Sequence, residues 1–468
     1  MARTRMLLVL ILLTAIAGFL ISANGCGGSS SQKQSPPPTQ KIQHVVIIFQ
    51  ENRTPDNLFQ DPKLIAAGAD IVQSGVNSLG KTIPLTPIPL ADTYDLDHSH
   101  SSFVAMYDGG KMDGANKIPV LCQGIPLCPP PNPQFAYINP SDVQPYFTLA
   151  ETYTFGDRMF QTNQGPSFPA HQFIISGTSA PTAPGDQKSD WFASENPTGI
   201  PNAGGNTGCS APANEYVLLM NPSGVESPAY PCYEHPTLTD LLDANALSWR
   251  YYTPTAGLLW TGPNAIQHIC GPNNPPPNGT ACVGSEWVSN VIINQKQVLT
   301  DISNGQLPAV SWVIPDGAES DHAGPADEGT GPSWVASIVN AVGTSQYWGN
   351  TTVIITWDDW GGWYDHVAPK VINTYEYGFR VPLIVVSPYA KAAYISKVTH
   401  DFGSILKYIE TVFDLPTIAP GYADTMADDL SDCFDYNQAP LVFQPIAAKY
   451  DAKHFLEDKR PPTDPDDD

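Results

Sequence analysis

The chain has 468 residues, 42% hydrophobic and 10% aromatic, enough to bury a sizeable core. Its 22 basic residues face 46 acidic ones, a net charge of −24, which argues against nucleic acid as a partner because a phosphate backbone attracts basic surfaces. An acidic protein can still bind phosphate esters if a metal ion reverses the local field.

The first segment, MARTRMLLVLILLTAIAGFLISANGCGGSSS, sets Arg3 and Arg5 before an apolar run from Met6 to Ile21, then small residues. That is the pattern of a secretory signal over residues 1–25, and the run is short for a permanent membrane span. Cys26, behind Ala23-Asn24-Gly25, resembles a bacterial lipoprotein cleavage site. Export to the periplasm or cell envelope is expected, with a lipid anchor at Cys26 as the sole membrane contact. Residues 26–41, rich in Ser, Gly and Pro, read as a tether.

From Ile42 to about residue 455 the composition is globular, without repeats or a domain-scale break, and an acidic, disordered tail is expected over 456–468. Four apolar runs read as strands: HVVIIF, AVSWVIP, TTVIITW and VPLIVVS. Between them SWVASIVNAVG and SILKYIETVFD read as helices. Continuous apolar strands alternating with helices indicate an α/β domain with a mainly parallel central sheet covered on both faces. The Pro/Gly-rich stretches 180–235 and 260–286 read as surface excursions. In an exported chain the sequence neighbours Cys122–Cys128, Cys209–Cys232 and Cys270–Cys282 are the natural disulfide pairs, leaving Cys433 over.

Ligands of open α/β sheets bind beyond the carboxyl ends of strands. HVVIIFQENRT runs into Glu51 and Asn52, and TTVIITWDD runs into Asp358 and Asp359. As parallel neighbours these ends would bring three carboxylates and an amide together, and a hard divalent cation (calcium, magnesium or manganese) resolves that repulsion with oxygen ligands, the alternative being that each acid merely caps a turn or helix. In GPSFPAHQFIISG, Ser167 opens an apolar helix-like run. It is either an N-cap or the place where helix N–H groups meet a phosphoryl group. The histidines of DLDHSH (His98 and His100), AIQHIC (His268) and AESDH (His322) lie in segments with no helical apolar period to explain them.

IQHVVIIFQENRTPDNLF, DLDHSHSSFVAMYDGGKMDG, GPSFPAHQFIISG, WVIPDGAESDH, VIITWDDWGGWYDHV and YGFRVPLIVVSPYAKAAYISKVTHDFGSILKYIE follow the order of the bacterial phosphoesterase family. Over about residues 42–417 the chain resembles that family, which holds non-specific phospholipases C and acid phosphatases on an alkaline-phosphatase-like fold. The resemblance implies that Glu51, Asn52, Asp358, Asp359 and Ser167 hold one divalent metal, with Ser167 the nucleophile. It implies further that His98, His322 and His268 contact the phosphoryl group. Pro55 and Asn57 in ENRTPDN, Ala170 after the nucleophile and Phe402 depart from the family pattern and bear on substrate preference. The expected function is hydrolysis of phosphoric esters, of acid-phosphatase type because no further folded module is expected after the SILKYIE helix. A phospholipase C-type diesterase is the alternative, and a non-catalytic surface binder on the same fold the reading from another class. Asp365 and His366 are expected to be structural.

Overall fold

A computed structural model describes residues 41–91, 94–122, 128–198 and 206–463. The secretory segment, the Cys26 site and all but the last residue of the tether lie outside the described residues, as do residues 464–468.

Eight strands form the central sheet: β1 (His44–Gln50), β2 (Thr154–Gly156), β3 (Trp249–Thr253), β4 (Val291–Ile293), β5 (Val310–Val313), β6 (Thr351–Trp357), β7 (Leu383–Val386) and β8 (Tyr394–Ser396). Their spatial order is β4-β3-β5-β1-β6-β7-β2-β8, so the two strands with the longest apolar runs, β1 and β6, lie side by side at the centre. All pairings are parallel except those of β7, which runs against β6 and β2. The sheet is therefore mainly parallel, with one reversed strand that no local pattern in VPLIVVS announces.

Four longer helices matter for the site: α1 (His100–Tyr107), α2 (Ser167–Ser176), α3 (Gly331–Gly343) and α4 (Phe402–Phe413). Successive residues of a strand face opposite sides of the sheet, and the end of β1 shows both sides covered. Phe49 packs edge-on against His171 of α2 and Phe402 of α4. Gln50, pointing the other way, donates to the Tyr146 hydroxyl and lies against the Gly331 carbonyl that opens α3. Burial on both faces is why these strands read as continuous apolar runs.

Two expectations need correction. The stretch 260–286 is no mere surface excursion, since Trp260, Asn264, Ala265, Ile266, Ile269 and Cys270 are buried. The reason is backbone pairing: Tyr233 N–H donates to the Ala265 carbonyl and Gln267 N–H to the Tyr233 carbonyl, drawing both loops onto the body. Likewise residues 456–463, expected in a disordered tail, are tied down. A short helix, Ala452–Glu457, buries Phe455, Asp458 pairs with Lys296 at 2.7 Å, and the Thr463 carbonyl accepts from Gly317 N–H. The three disulfides form in the expected pairs, and Cys433 is a buried free thiol. Among the described residues no helix is long and apolar enough to cross a membrane.

Candidate active site

The register of β1 on β6 sets Gln50 opposite Trp357, so the residues that follow each strand emerge together. Asp358 N–H donates to the Gln50 carbonyl at 2.9 Å, and Asn52 N–H donates to Asp358 Oδ1 at 3.0 Å. Asn52 adopts a left-handed φ of 56°, which turns the chain sharply after Glu51. Each aspartate uses one oxygen to bind backbone. Asp358 Oδ1 also accepts from Asp359 N–H at 2.7 Å, and Asp359 Oδ1 accepts from Gly361 N–H at 2.7 Å. The second oxygen of each is turned elsewhere: Asp359 Oδ2 accepts from the Ser167 hydroxyl at 3.4 Å, and Asp358 Oδ2 stands 4.0 Å from His171 Nε2. Gly361 has a left-handed φ of 61°, and a Cβ there would lie 2.6 Å from the Asn52 carbonyl oxygen. The glycine is needed so that this loop can close on Asn52.

Ser167 is the first residue of α2 rather than its cap; Pro166 holds the cap position and makes no side-chain cap bond of its own. The turn before it is held from several sides. Asn163 and Gln161 donate to the Gly165 carbonyl at 2.8 and 3.0 Å, and Gln161 Oε1 accepts from Trp360 N–H at 3.1 Å. A Cβ on Gly165 would fall 2.4 Å from the Ser194 carbonyl, which requires glycine there. Phe168 N–H donates to Asn196 Oδ1 at 2.9 Å. The turn before Ser167 is thus tied both to the Asp359 loop and to the segment around residue 195.

His98 and His322 lie together, ring centroids 5.6 Å apart. Nδ1 of His98 donates to the Leu96 carbonyl at 2.8 Å, and Nδ1 of His322 to the Ala323 carbonyl at 2.7 Å. Nε2 of His98 lies 3.2 Å from Asn52 Nδ2, which links the histidine to the strand ends. Burial, and then the neighbouring His98, depress the His322 imidazole to about 3. His171 lies on the apolar run of α2, where no local pattern singles it out. Its Nε2 lies 3.2 Å from Glu51 Oε1, its ring stacks on Trp260 at 6.2 Å, and burial depresses it to about 4. Trp260 also packs against His322 at 6.1 Å.

His268 is not brought into this group. It sits on the short helix Gln267–Cys270, where its Nδ1 is 2.9 Å from Glu234 and its Nε2 3.5 Å from Asp240. Glu234 takes Nδ1, while Nε2 makes no hydrogen bond among the described residues, and neither carboxylate belongs to the group behind β1 and β6. Asp365 and His366 belong to a separate ionic cluster. Asp365 receives two bonds of 2.9 Å from Arg380, and His366 lies between Asp56 at 2.7 Å and Asp70 at 3.0 Å.

The donors suit a hard cation. Glu51, His171 and Asp358 offer ligand atoms within 4.8 Å of one another. Asn52 Oδ1 and Asp358 Oδ2 are buried without a hydrogen-bond partner among the described residues, an arrangement that costs free energy unless a ligand satisfies them. Burial, and then the adjacent Asp358 charge, hold the Asp359 carboxyl well above the ordinary carboxylate range, a conflict that a bound cation relieves.

The sequence model of the phosphoesterase family matches residues 42–416. A non-hemolytic phospholipase C of Pseudomonas aeruginosa is 22% identical, with 88% of this chain and 60% of that protein aligned. A second, from Burkholderia pseudomallei, is 23% identical over 90% of this chain and 65% of its own length. Phospholipase C B of Mycobacterium tuberculosis is 23% identical over 86% of this chain and 80% of its own. This chain therefore spans 60 and 65% of the lengths of the first two relatives. Among solved structures, an alkaline phosphatase superfamily protein from Vibrio parahaemolyticus aligns over 89% of this chain and 76% of its own, with 11% identity and a TM-score of 0.36.

Proposed function

Because the chain belongs to the phosphoesterase family, we propose that it is a metal-dependent hydrolase of phosphoric esters with Ser167 as nucleophile. The observation that carries this reading is the meeting of Ser167 with the acids behind β1 and β6, through the bonds Ser167–Asp359 and Asn52–Asp358. Glu51, Asn52, Ser167, Asp358 and Asp359 would hold one divalent cation, and oxygen donors of this kind favour magnesium, calcium or manganese. Such a cation lowers the pKa of a bound hydroxyl and neutralises charge on the phosphoryl group. The chain supplies the rest. Ser167 Oγ attacks phosphorus as its proton passes to the unprotonated Nε2 of His98 or His322, the P–O bond to the alcohol breaks as the departing oxygen takes that proton, and water then hydrolyses the phosphoserine, returning a proton to Ser167 Oγ.

For the substrate we take a phosphomonoester, the acid-phosphatase reading, as one proposal. The phospholipases C among the relatives favour a second, a phosphodiester of lipid type. Ser167→Ala should lower turnover of p-nitrophenyl phosphate, or of p-nitrophenylphosphorylcholine, by more than about a thousandfold with the fold intact. Turnover equal to wild type would sink both the nucleophile and the hydrolase reading. The ratio of wild-type rates on those two compounds separates monoesterase from diesterase.

A further inference from the structure

Arg53 follows Asn52 directly and is fully buried. Its Nε, Nη1 and Nη2 have no hydrogen-bond partner among the described residues. Among the described residues the carboxylate within ion-pair range is that of Asp327, whose Oδ2 stands 4.0 Å from Nη2, too far for a hydrogen bond. The guanidinium lies over the Trp363 ring, 5.1 Å from its centroid, and is near enough to Asp321 and His322 for its charge to bear on both. Asp321 is already engaged there: its Oδ2 accepts from the Tyr146 hydroxyl at 2.7 Å and the Trp357 indole at 2.9 Å. A buried guanidinium carries five N–H donors, and leaving them unsatisfied is expensive.

We propose that Arg53 is a substrate-contacting residue, donating its N–H fork to phosphoryl oxygens of the bound ester on the side facing His322. A planar guanidinium matches two oxygens of a phosphoryl group at once, which a lysine ammonium cannot do. The imidazoles of His98 and His322 then position the phosphoryl group, and Arg53 supplies a fixed positive charge beside them. This deepens the hydrolase reading and rests on it for the identity of the ligand.

The probe is inorganic phosphate, titrated into protein saturated with whichever of magnesium, calcium and manganese raises its Tm most. Arg53→Gln should weaken phosphate binding by at least about tenfold, the loss expected for a charge-assisted bond, while cation affinity stays within about twofold of wild type. Arg53→Lys should recover only part of the loss, because it restores charge without the fork. Added guanidinium should restore phosphate binding to Arg53→Ala. Phosphate affinity equal to wild type in Arg53→Gln overturns the proposal and leaves Arg53 an internal partner of Asp327. Should removal of the buried charge unfold the single variants, Arg53→Met combined with Asp327→Asn removes both charges and must still lose phosphate. A crystal structure of the wild type with cation and phosphate decides separately: a guanidinium nitrogen within about 3.2 Å of a phosphate oxygen supports the contact, and a guanidinium turned away to Asp327 overturns it. Phosphate binding is read without turnover, so a wild type that hydrolyses no ester would fail the functional reading alone.

Discussion

His171 joins two strand ends with one imidazole: its Nε2 lies 3.2 Å from Glu51 and 4.0 Å from Asp358. The ring is buried and depressed to about 4, so at neutral pH it is uncharged and adds no positive charge to repel a cation. Groups that orient metal-binding side chains change affinity by about 10–100-fold when removed, and His171→Asn should therefore weaken cation binding by that amount in a calorimetric titration. Asp358→Asn removes a charge while nearly preserving shape, so it should lower cation affinity and turnover together, by more than His171→Asn does. Wild-type affinity in Asp358→Asn would refute the oxygen-donor site. A strong effect of Asp358→Asn with none from His171→Asn would confine His171 to packing between Phe49 and Trp260.

Elements that announce themselves locally were legible; partnerships across the chain were not. The runs ending in Glu51–Asn52 and Asp358–Asp359 stand out because a strand buried on both faces must be apolar throughout, which makes an abrupt acidic end conspicuous. His171 hid inside an equally apolar helix, and Trp260 in a Pro/Gly-rich stretch that reads as surface. Direction was hidden too, since the apolar run of β7 would look the same parallel or reversed. The ionic cluster behind β6 is another such case. Arg380, entering β7, neutralises Asp365, and His366 bridges Asp56 and Asp70, residues about 300 positions away. Burial opposes charge on His366, but the bond to Asp56 and its charge outweigh it and lift the imidazole from 6.5 to about 9. A folded-state value above the unfolded one means stability that is full below 6.5 and is lost as pH rises through about 9. The shift corresponds to about 3 kcal/mol. The denaturation midpoint should fall across that window in wild type and much less in His366→Gln; equal slopes would show that the cluster does not titrate through His366.

At the scale of the molecule, the disulfides and the site are one construction. Cys232 sits beside Tyr233, whose backbone pairs with Ala265 and Gln267, and Cys209 follows Gly208, where a Cβ would lie 2.5 Å from the Asn264 carbonyl. Cys270 closes the same segment onto Cys282. Both bridges therefore brace the loop that carries Trp260 against His171 and His322. Closing a loop of 23 residues is worth about 3 kcal/mol in the chain-entropy account. Replacing Cys209 and Cys232 by serine should lower Tm by several degrees and reduce kcat/KM, with cation affinity nearly unchanged because Glu51, Asn52, Asp358 and Asp359 follow directly on the central strands β1 and β6. Such bridges persist in an oxidising compartment, which accords with the secretory pattern before Cys26, so we propose export with lipidation at Cys26. Mass spectrometry of protein recovered from the cell envelope should find an amino terminus at a modified Cys26. Alkylation should find six cysteines protected until reduction and Cys433 reactive only after unfolding. An intact Met1, or thiols at 209 and 232 reactive without reduction, would place the protein in a reducing compartment and remove the brace from the account of the site.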